Sequence, residues 1–185
     1  MTRASDTAKL LGAGATILDG TTISTADNTS QLTLTSTDAD ASVGPALDLY
    51  RNSSSPADSD IMGIVNYKAE NSAGETITYV DIIGVLGDVT DGTEDGQLRI
   101  QTMTAGSNVN RISVNTTETV INDTSKDLDF RVESNGNANM LFVNGGTDRV
   151  GIGTNSPART VQIVDSSATP YLSIVGPTGS SAGIM

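Results

Sequence analysis

The densest set of groups that could do chemistry is the acidic run Asp88-Val89-Thr90-Asp91-Gly92-Thr93-Glu94-Asp95-Gly96. Carboxylates at this density suit a hard divalent cation such as calcium, which takes carboxylate and carbonyl oxygens. An EF-hand loop needs ligands at its first, third and fifth positions and a Glu at the twelfth. Asp88, Asp91, Glu94 and Asp95 do not fall at that spacing. The preferred expectation is an exposed turn built on Asp-Gly steps, with the four acids as weak metal candidates. Glycoside cleavage would need two carboxylates at a defined separation. Asp81, inside the apolar run before Ile82-Ile83, is the acid expected to be partly buried, but no partner for it can be read from spacing. It is expected on the outward face of a strand or hydrogen-bonded in an interface.

Other chemistry is excluded by what the chain lacks. It has no His, which removes the usual general base, the Ser-His-Asp triad and the commonest metal ligand. It has no Cys, so it has no disulfide and no thiolate metal site. Gly151-Ile152-Gly153 is a partial glycine fingerprint, yet a dinucleotide site needs a following helix, and Ser156-Pro157 interrupts one. Asn28-Thr29-Ser30 and Asn52-Ser53-Ser54 match the N-glycosylation pattern and are read as turns. Tyr50, Tyr67 and Tyr79 could stack on a sugar, but strand edges or the core are the expected places for them. No enzyme activity and no cofactor are expected.

The elements that would carry these residues are short strands. Among 185 residues, hydrophobic types make up 36% and aromatics 3%, with two Phe, four Tyr and no Trp, so a single copy is poorly equipped to bury a large core. Nineteen Gly and many Ser, Thr, Asn and Asp fit numerous turns. A net charge of −12 argues against nucleic acid and for a solvated surface. No apolar run approaches the length of a membrane span, so no membrane insertion is expected.

Residues 2–11 are the one helix-like stretch, with Ser5 as cap and Gly12 and Gly14 to end it. Residues 31–36 and 46–51 alternate as half-buried strands. The most apolar runs, 61–68 and 77–86, flank a turn at 69–75 and read as a central hairpin. Residues 97–103 and 109–114 form the next, across Gly106, and 118–121 is a short strand. Runs 128–132, 140–143 and 149–152 follow, separated by Asn-Gly turns. Turn signals every eight to twelve residues are the spacing of a sandwich or small barrel.

A repeat then appears. Leu32-Thr33-Leu34 followed by Pro45-Ala46-Leu47-Asp48-Leu49 matches Val161-Gln162-Ile163 followed by Pro170-Tyr171-Leu172-Ser173-Ile174, with Pro45 and Pro170 offset by 125. The second copy stops mid-pattern, and more chain is expected to follow.

Leu47-Asp48-Leu49-Tyr50-Arg51, Ser55-Pro56-Ala57-Asp58, Gly63, Tyr79 and the run Asp91–Leu98 resemble a β-rich module of bacteriophage tail-fibre and related virion proteins. Phe130-Arg131-Val132, Met140-Leu141-Phe142-Val143 and Arg149-Val150-Gly151-Ile152-Gly153-Thr154, then Ser156-Pro157, resemble the linker joining such modules. The first eleven residues are similar to the starts of fibre proteins of marine tailed phages. The resemblance implies a homotrimeric fibre held to the particle, a phage tail or other virion protein, by its N-terminal part. It implies a bacterial surface receptor met by distal regions outside this sequence. It carries over no catalytic residue.

The expected fold is therefore all-β: a short N-terminal helix or anchor peptide, an antiparallel β-sandwich-like module, a hairpin-rich linker with intertwined strands, and the start of a second β-module. The expected divisions are 1–28 (virion anchor), 29–122 (sandwich-like module), 123–158 (fibre neck) and 159–185 (second module). Arg3, Leu10 and Leu11 are the expected anchor residues. Phe130, Leu141, Val143, Val150, Gly151, Ile152 and Gly153 are expected in the trimer neck, the glycines letting three backbones approach. The expected setting is the virion, after assembly in the host cytoplasm. Two alternatives stand beside this one: a receptor- or glycan-binding adhesin module, and a non-catalytic part of a polysaccharide depolymerase.

Overall fold

The computed structural model describes residue 20 and residues 22–165. The helix-like stretch at 2–11 and the repeat strand at 170–175 lie outside the described residues. Two units are present, Met1–Asp48 and Leu49–Met185. The described part of the first holds neither helix nor strand. Its order is local: Asp27 accepts from the backbone N–H of Thr29 at 3.0 Å, and Asp40 accepts from that of Ser42 at 2.7 Å.

The second unit is all-β, as expected. It contains β1 (Ile61–Glu70), β2 (Thr76–Asp88), β3 (Asp95–Thr104), β4 (Ser107–Val114) and β5 (Thr119–Ile121), then β6 (Phe130–Val132), β7 (Leu141–Asn144), β8 (Arg149–Ile152) and β9 (Val161–Ile163). The first five form an antiparallel meander in chain order, and the last four form a second sheet in chain order. This two-sheet, all-β organisation is consistent with a β-sandwich-like fold.

The turns explain why each hairpin closes where it does. Between β1 and β2, Asn71 Oδ1 accepts from the backbone N–H groups of Ala73 and Glu75 at 2.9 and 3.0 Å, and Asn71 Nδ2 donates to Glu75 Oε2 at 2.7 Å. Gly74 supplies the left-handed backbone there, at φ 80. Between β3 and β4 the chain turns on Ala105 and Gly106, at φ 47 and 79, the two consecutive positive φ values of a primed hairpin turn. Between β7 and β8, Asn144 Oδ1 accepts from the backbone N–H groups of Gly146 and Thr147 at 3.1 and 2.8 Å.

The expectation of strands at 31–36 and 46–51 is not met. Among the described residues the first strand begins at Ile61. An alternating pattern gives a strand only when a neighbour takes its backbone hydrogen bonds, and neither of those two segments joins a sheet. Leu49 instead places its side chain against Gly63, where an added Cβ would come within 2.9 Å of Leu49 Cβ.

Register sorts the five-stranded sheet into two chemically different faces. One row crosses all five strands as Val65, Ile82, Ile100, Ile112 and Ile121. The same face carries Tyr67, Val80, Leu98, Val109 and Val114. On the other face Asn66, Asp81, Gln101 and Asn110 form one row, and Ile64, Ile83, Arg99, Ser113 and Val120 another. Long polar side chains bridge this second face: Gln97 Nε2 donates to Ser113 Oγ at 2.9 Å, Arg99 Nη2 to Gln97 Oε1 at 2.7 Å, and Gln101 Nε2 to Asn110 Oδ1 at 2.6 Å. They shield Ile83 and Val85, which with Val109 and Phe142 are the buried hydrophobic residues among those described.

Candidate functional site

The second sheet places the expected neck residues. Antiparallel pairing sets Phe130 opposite Val143 and Val143 opposite Val150, and the parallel β8–β9 pair sets Val150 beside Val161. Val132 lies opposite Leu141, and Ile152 beside Ile163. Side chains alternate strictly along a strand. One face of this sheet is therefore Phe130, Val132, Leu141, Val143, Val150, Ile152, Val161 and Ile163, without a polar member. None of these is buried, and Phe130, Val132, Val143, Ile152 and Val161 are exposed. The opposite face carries Arg131, Phe142, Gly151 and Gln162 in register. There Phe142 and Gly151 are buried.

Phe130, Leu141, Val143, Val150 and Ile152 are thus brought together on one face. Gly151 sits on the other, and Gly153 follows the strand. The close approach that each glycine permits lies within the chain. A Cβ on Gly151 would overlap the Thr154 carbonyl oxygen, and one on Gly153 would overlap that of Val164. Gly153 also adopts φ 78 and donates its N–H to the Asn139 carbonyl at 2.7 Å. The 153–160 segment folds under β8 to return in parallel. It is pinned by Arg149 Nη1 on the Pro157 carbonyl at 3.0 Å and by the Ala158 N–H on Gln162 Oε1 at 2.6 Å. β9 therefore joins the sheet that carries the expected neck residues.

A cavity of about 420 Å³ lies between the sheets, lined by Ile121, Lys126, Leu128, Phe130, Val143 and Asp148 among others. It links the isoleucine row of the first sheet, which ends at Ile121, to the apolar face of the second.

The acidic loop joins β2 to β3. Asp88 Oδ1 accepts from the backbone N–H of Thr90 at 2.7 Å, and Oδ2 from Thr93 Oγ1 at 3.3 Å. The Thr90 backbone N–H, and then its side chain, hold the Asp88 carboxyl below its ordinary value. Asp91, Glu94 and Asp95 point to solvent. Among the described residues no three His, Cys, Asp or Glu side chains converge as a metal site would require. Asp81 is buried at 6% exposure, and Asn108 Nδ2 donates to its Oδ2 at 3.4 Å.

The tyrosines do not converge. Tyr50, 83% exposed, borders a depression of about 300 Å³ with Arg51, Pro56, Leu86 and Asp95. Tyr67 and Tyr79 are not part of its lining. Arg3, Leu10 and Leu11, the expected anchor, lie outside the described residues. Among the described residues no helix is long and apolar enough to cross a membrane.

Val132 falls within the expected linker at 123–158 without being among the expected neck residues, and what the sequence did not signal is that Val161 and Ile163 share their face. The alternation of 128–132 could have flagged Val132. The parallel return of β9 is a tertiary pairing that no local pattern announces. No protein-family model matches the chain, and no curated protein matches it.

Proposed function

We propose that this chain is a structural component of a phage virion: the virion-proximal part of a trimeric tail fibre, which attaches the fibre to the particle and supports host recognition further along. The observation that carries this reading is the wholly apolar, uncovered face of the four-stranded sheet. A strip of Phe, Val, Leu and Ile left in water by one chain is what copies gathered around an axis would cover. The module and linker motifs that resemble tail-fibre proteins support the same reading.

In this role the chain connects. Its N-terminal segment docks on a virion protein, the five-stranded module forms the shaft, and the second sheet gathers the copies at the neck. Light scattering or native mass spectrometry on the chain at its native length tests the assembly. A trimer is expected, and a monomer overturns the reading. Removing residues 1–14 tests the attachment: loss of incorporation into particles supports the anchor. Particles that still carry the fibre but no longer adsorb to the host would favour the adhesin reading instead.

A further inference from the structure

The chain has two Asn-Gly steps, Asn135-Gly136 in the β6–β7 turn and Asn144-Gly145 in the β7–β8 turn. An asparagine before glycine carries a latent reaction. The backbone nitrogen of the following residue can close on the side-chain Cγ, and glycine has no Cβ to obstruct the approach. Geometry decides whether it does so, because nitrogen and carbon must meet at near-contact distance. The two steps are alike in sequence and differ in what holds them.

Asn144 is fixed on both sides of that reaction. Its Oδ1 accepts from the backbone N–H groups of Gly146 and Thr147 at 3.1 and 2.8 Å, and from Thr147 Oγ1 at 2.7 Å. The attacking nitrogen would be that of Gly145, which donates to Asp129 Oδ1 at 3.0 Å. Gly145 is also pressed against the backbone of Leu128, whose carbonyl oxygen an added Cβ would overlap. Ring closure there has to turn the amide away from three donors and pull Gly145 off Asp129 and Leu128.

The Asn135 step is open. Asn135 and Gly136 are both exposed, and a Cβ on Gly136 would meet nothing within 4 Å. The bonds that brace this turn pass around them. The Ser134 N–H donates to the Asn137 carbonyl at 2.8 Å, the Asn137 N–H to Ser134 Oγ at 3.1 Å, and the Asn139 N–H to Asn137 Oδ1 at 2.8 Å. Asn135 and Gly136 thus form the free tip of a braced loop.

We propose that Asn135 is a site of spontaneous modification by water, becoming a mixture of Asp and isoaspartate, while the β7–β8 turn keeps Asn144 intact. The Gly136 nitrogen gives its proton to hydroxide or water and bonds to Asn135 Cγ. The Cγ–Nδ2 bond breaks, and Nδ2 leaves as ammonia. One water then opens the five-membered imide. Cleavage between Cγ and the Gly136 nitrogen leaves Asp on the original main chain. Cleavage at the Asn135 carbonyl carbon leaves isoaspartate, with the main chain now running through Cβ and Cγ. Nothing is oxidised or reduced.

Either product adds a carboxylate beside Glu133, and isoaspartate lengthens the turn. Phe130, Arg131 and Val132 are held beyond the turn by pairing with Val143, Phe142 and Leu141, so the sheet is expected to persist. The inference needs only the geometry of the two turns and is independent of the fibre reading.

The test ages the chain at its native length in mildly alkaline buffer over days. The protein is then digested at acidic pH and mapped by mass spectrometry, with fragmentation that distinguishes isoaspartate from Asp. Conversion at Asn135 is expected to run about tenfold or more ahead of Asn144, which must first open its turn. In denaturant the two rates should come together. Gly136→Ala meets no neighbour and needs no left-handed backbone, and it should slow conversion at Asn135.

An Asn135 that stays intact while the denatured chain converts would overturn the inference. So would equal or faster conversion at Asn144 in the folded chain, which would make Asp129 and the donors on Oδ1 activating groups. Rates that stay apart in denaturant would trace the difference to sequence and overturn it too. An unchanged rate in Gly136→Ala would overturn the ring-closure route.

Discussion

Gly151 on β8 stands directly opposite Phe142 on β7, and Phe142 is the buried aromatic ring among the described residues, at 6% exposure. The glycine leaves that face of the sheet open to the 153–160 segment, whose Thr154 carbonyl occupies the space a Cβ would fill. Gly151→Ala forces that segment away from β8. Overpacking of this kind costs about 1–3 kcal/mol. A lower melting temperature is expected, read by circular dichroism, without loss of the β signature at low temperature.

Phe142 and Phe130 are expected to separate folding from the proposed assembly. Phe142→Ala empties a buried site and is expected to cost about 3–5 kcal/mol of stability. Phe130 lies on the exposed apolar face, so Phe130→Ala removes little from the isolated fold. Its expected effect is on association: the dilution midpoint of the oligomer shifts to higher concentration, as sedimentation equilibrium would measure. Equal effects on single-chain stability from the two substitutions would contradict the assignment of faces.

Asn71 closes the β1–β2 hairpin through two accepted backbone bonds and one donated to Glu75. Asn71→Ala loses them at a solvent-exposed turn, where each is worth about 0.5–1.5 kcal/mol. The expected outcome is a loss of about 1–2 kcal/mol in denaturant melts, with faster amide exchange concentrated in β1 and β2.

Asp88 makes the β2–β3 turn sensitive to acid. Its folded carboxyl titrates below its ordinary value of 3.8, held down first by the Thr90 N–H. A depressed carboxylate contributes stability that is present above the unfolded value and lost as pH falls through the folded one. Asp88→Ala should therefore be less stable than the parent chain at neutral pH. The difference should shrink once the pH drops below the ordinary carboxylate value. Thermal melts across an acid series check both the sign and the window.

Much of the fold is legible because it is local. Gly106, the Asn-Gly turns and the apolar runs on either side of Asn71 mark hairpins whose strands are sequence neighbours. The neck residues Phe130, Leu141, Val143, Val150 and Ile152 share a face because simple alternation puts them there once the turns fix the register. What stayed hidden depends on distant partners. The 31–36 and 46–51 runs carry a strand pattern without a strand to pair with. Val161 and Ile163 join the second sheet through a parallel pairing. Gly151 and Gly153 read as room for neighbouring copies, whereas the atoms that demand glycine there belong to Thr154 and Val164. Ala105 holds a positive φ with no side-chain type to announce it. Asp81 was singled out by its place in an apolar run, and it is buried on the face it shares with Ile83 and Val85, where Asn108 donates to it.

The parallel β8–β9 pair also has a mechanical meaning. β6 and β8 each run antiparallel to β7, so β6, β8 and β9 point the same way. The chain enters the sheet at one end of its strands and leaves at the other. Tension along the chain then pulls the strands past one another, and the bonds of each ladder share the load. A sheet entered and left at the same end would open one bond at a time, like a zip. The four-stranded sheet is thus an in-line coupling, loaded along the direction in which the chain itself advances.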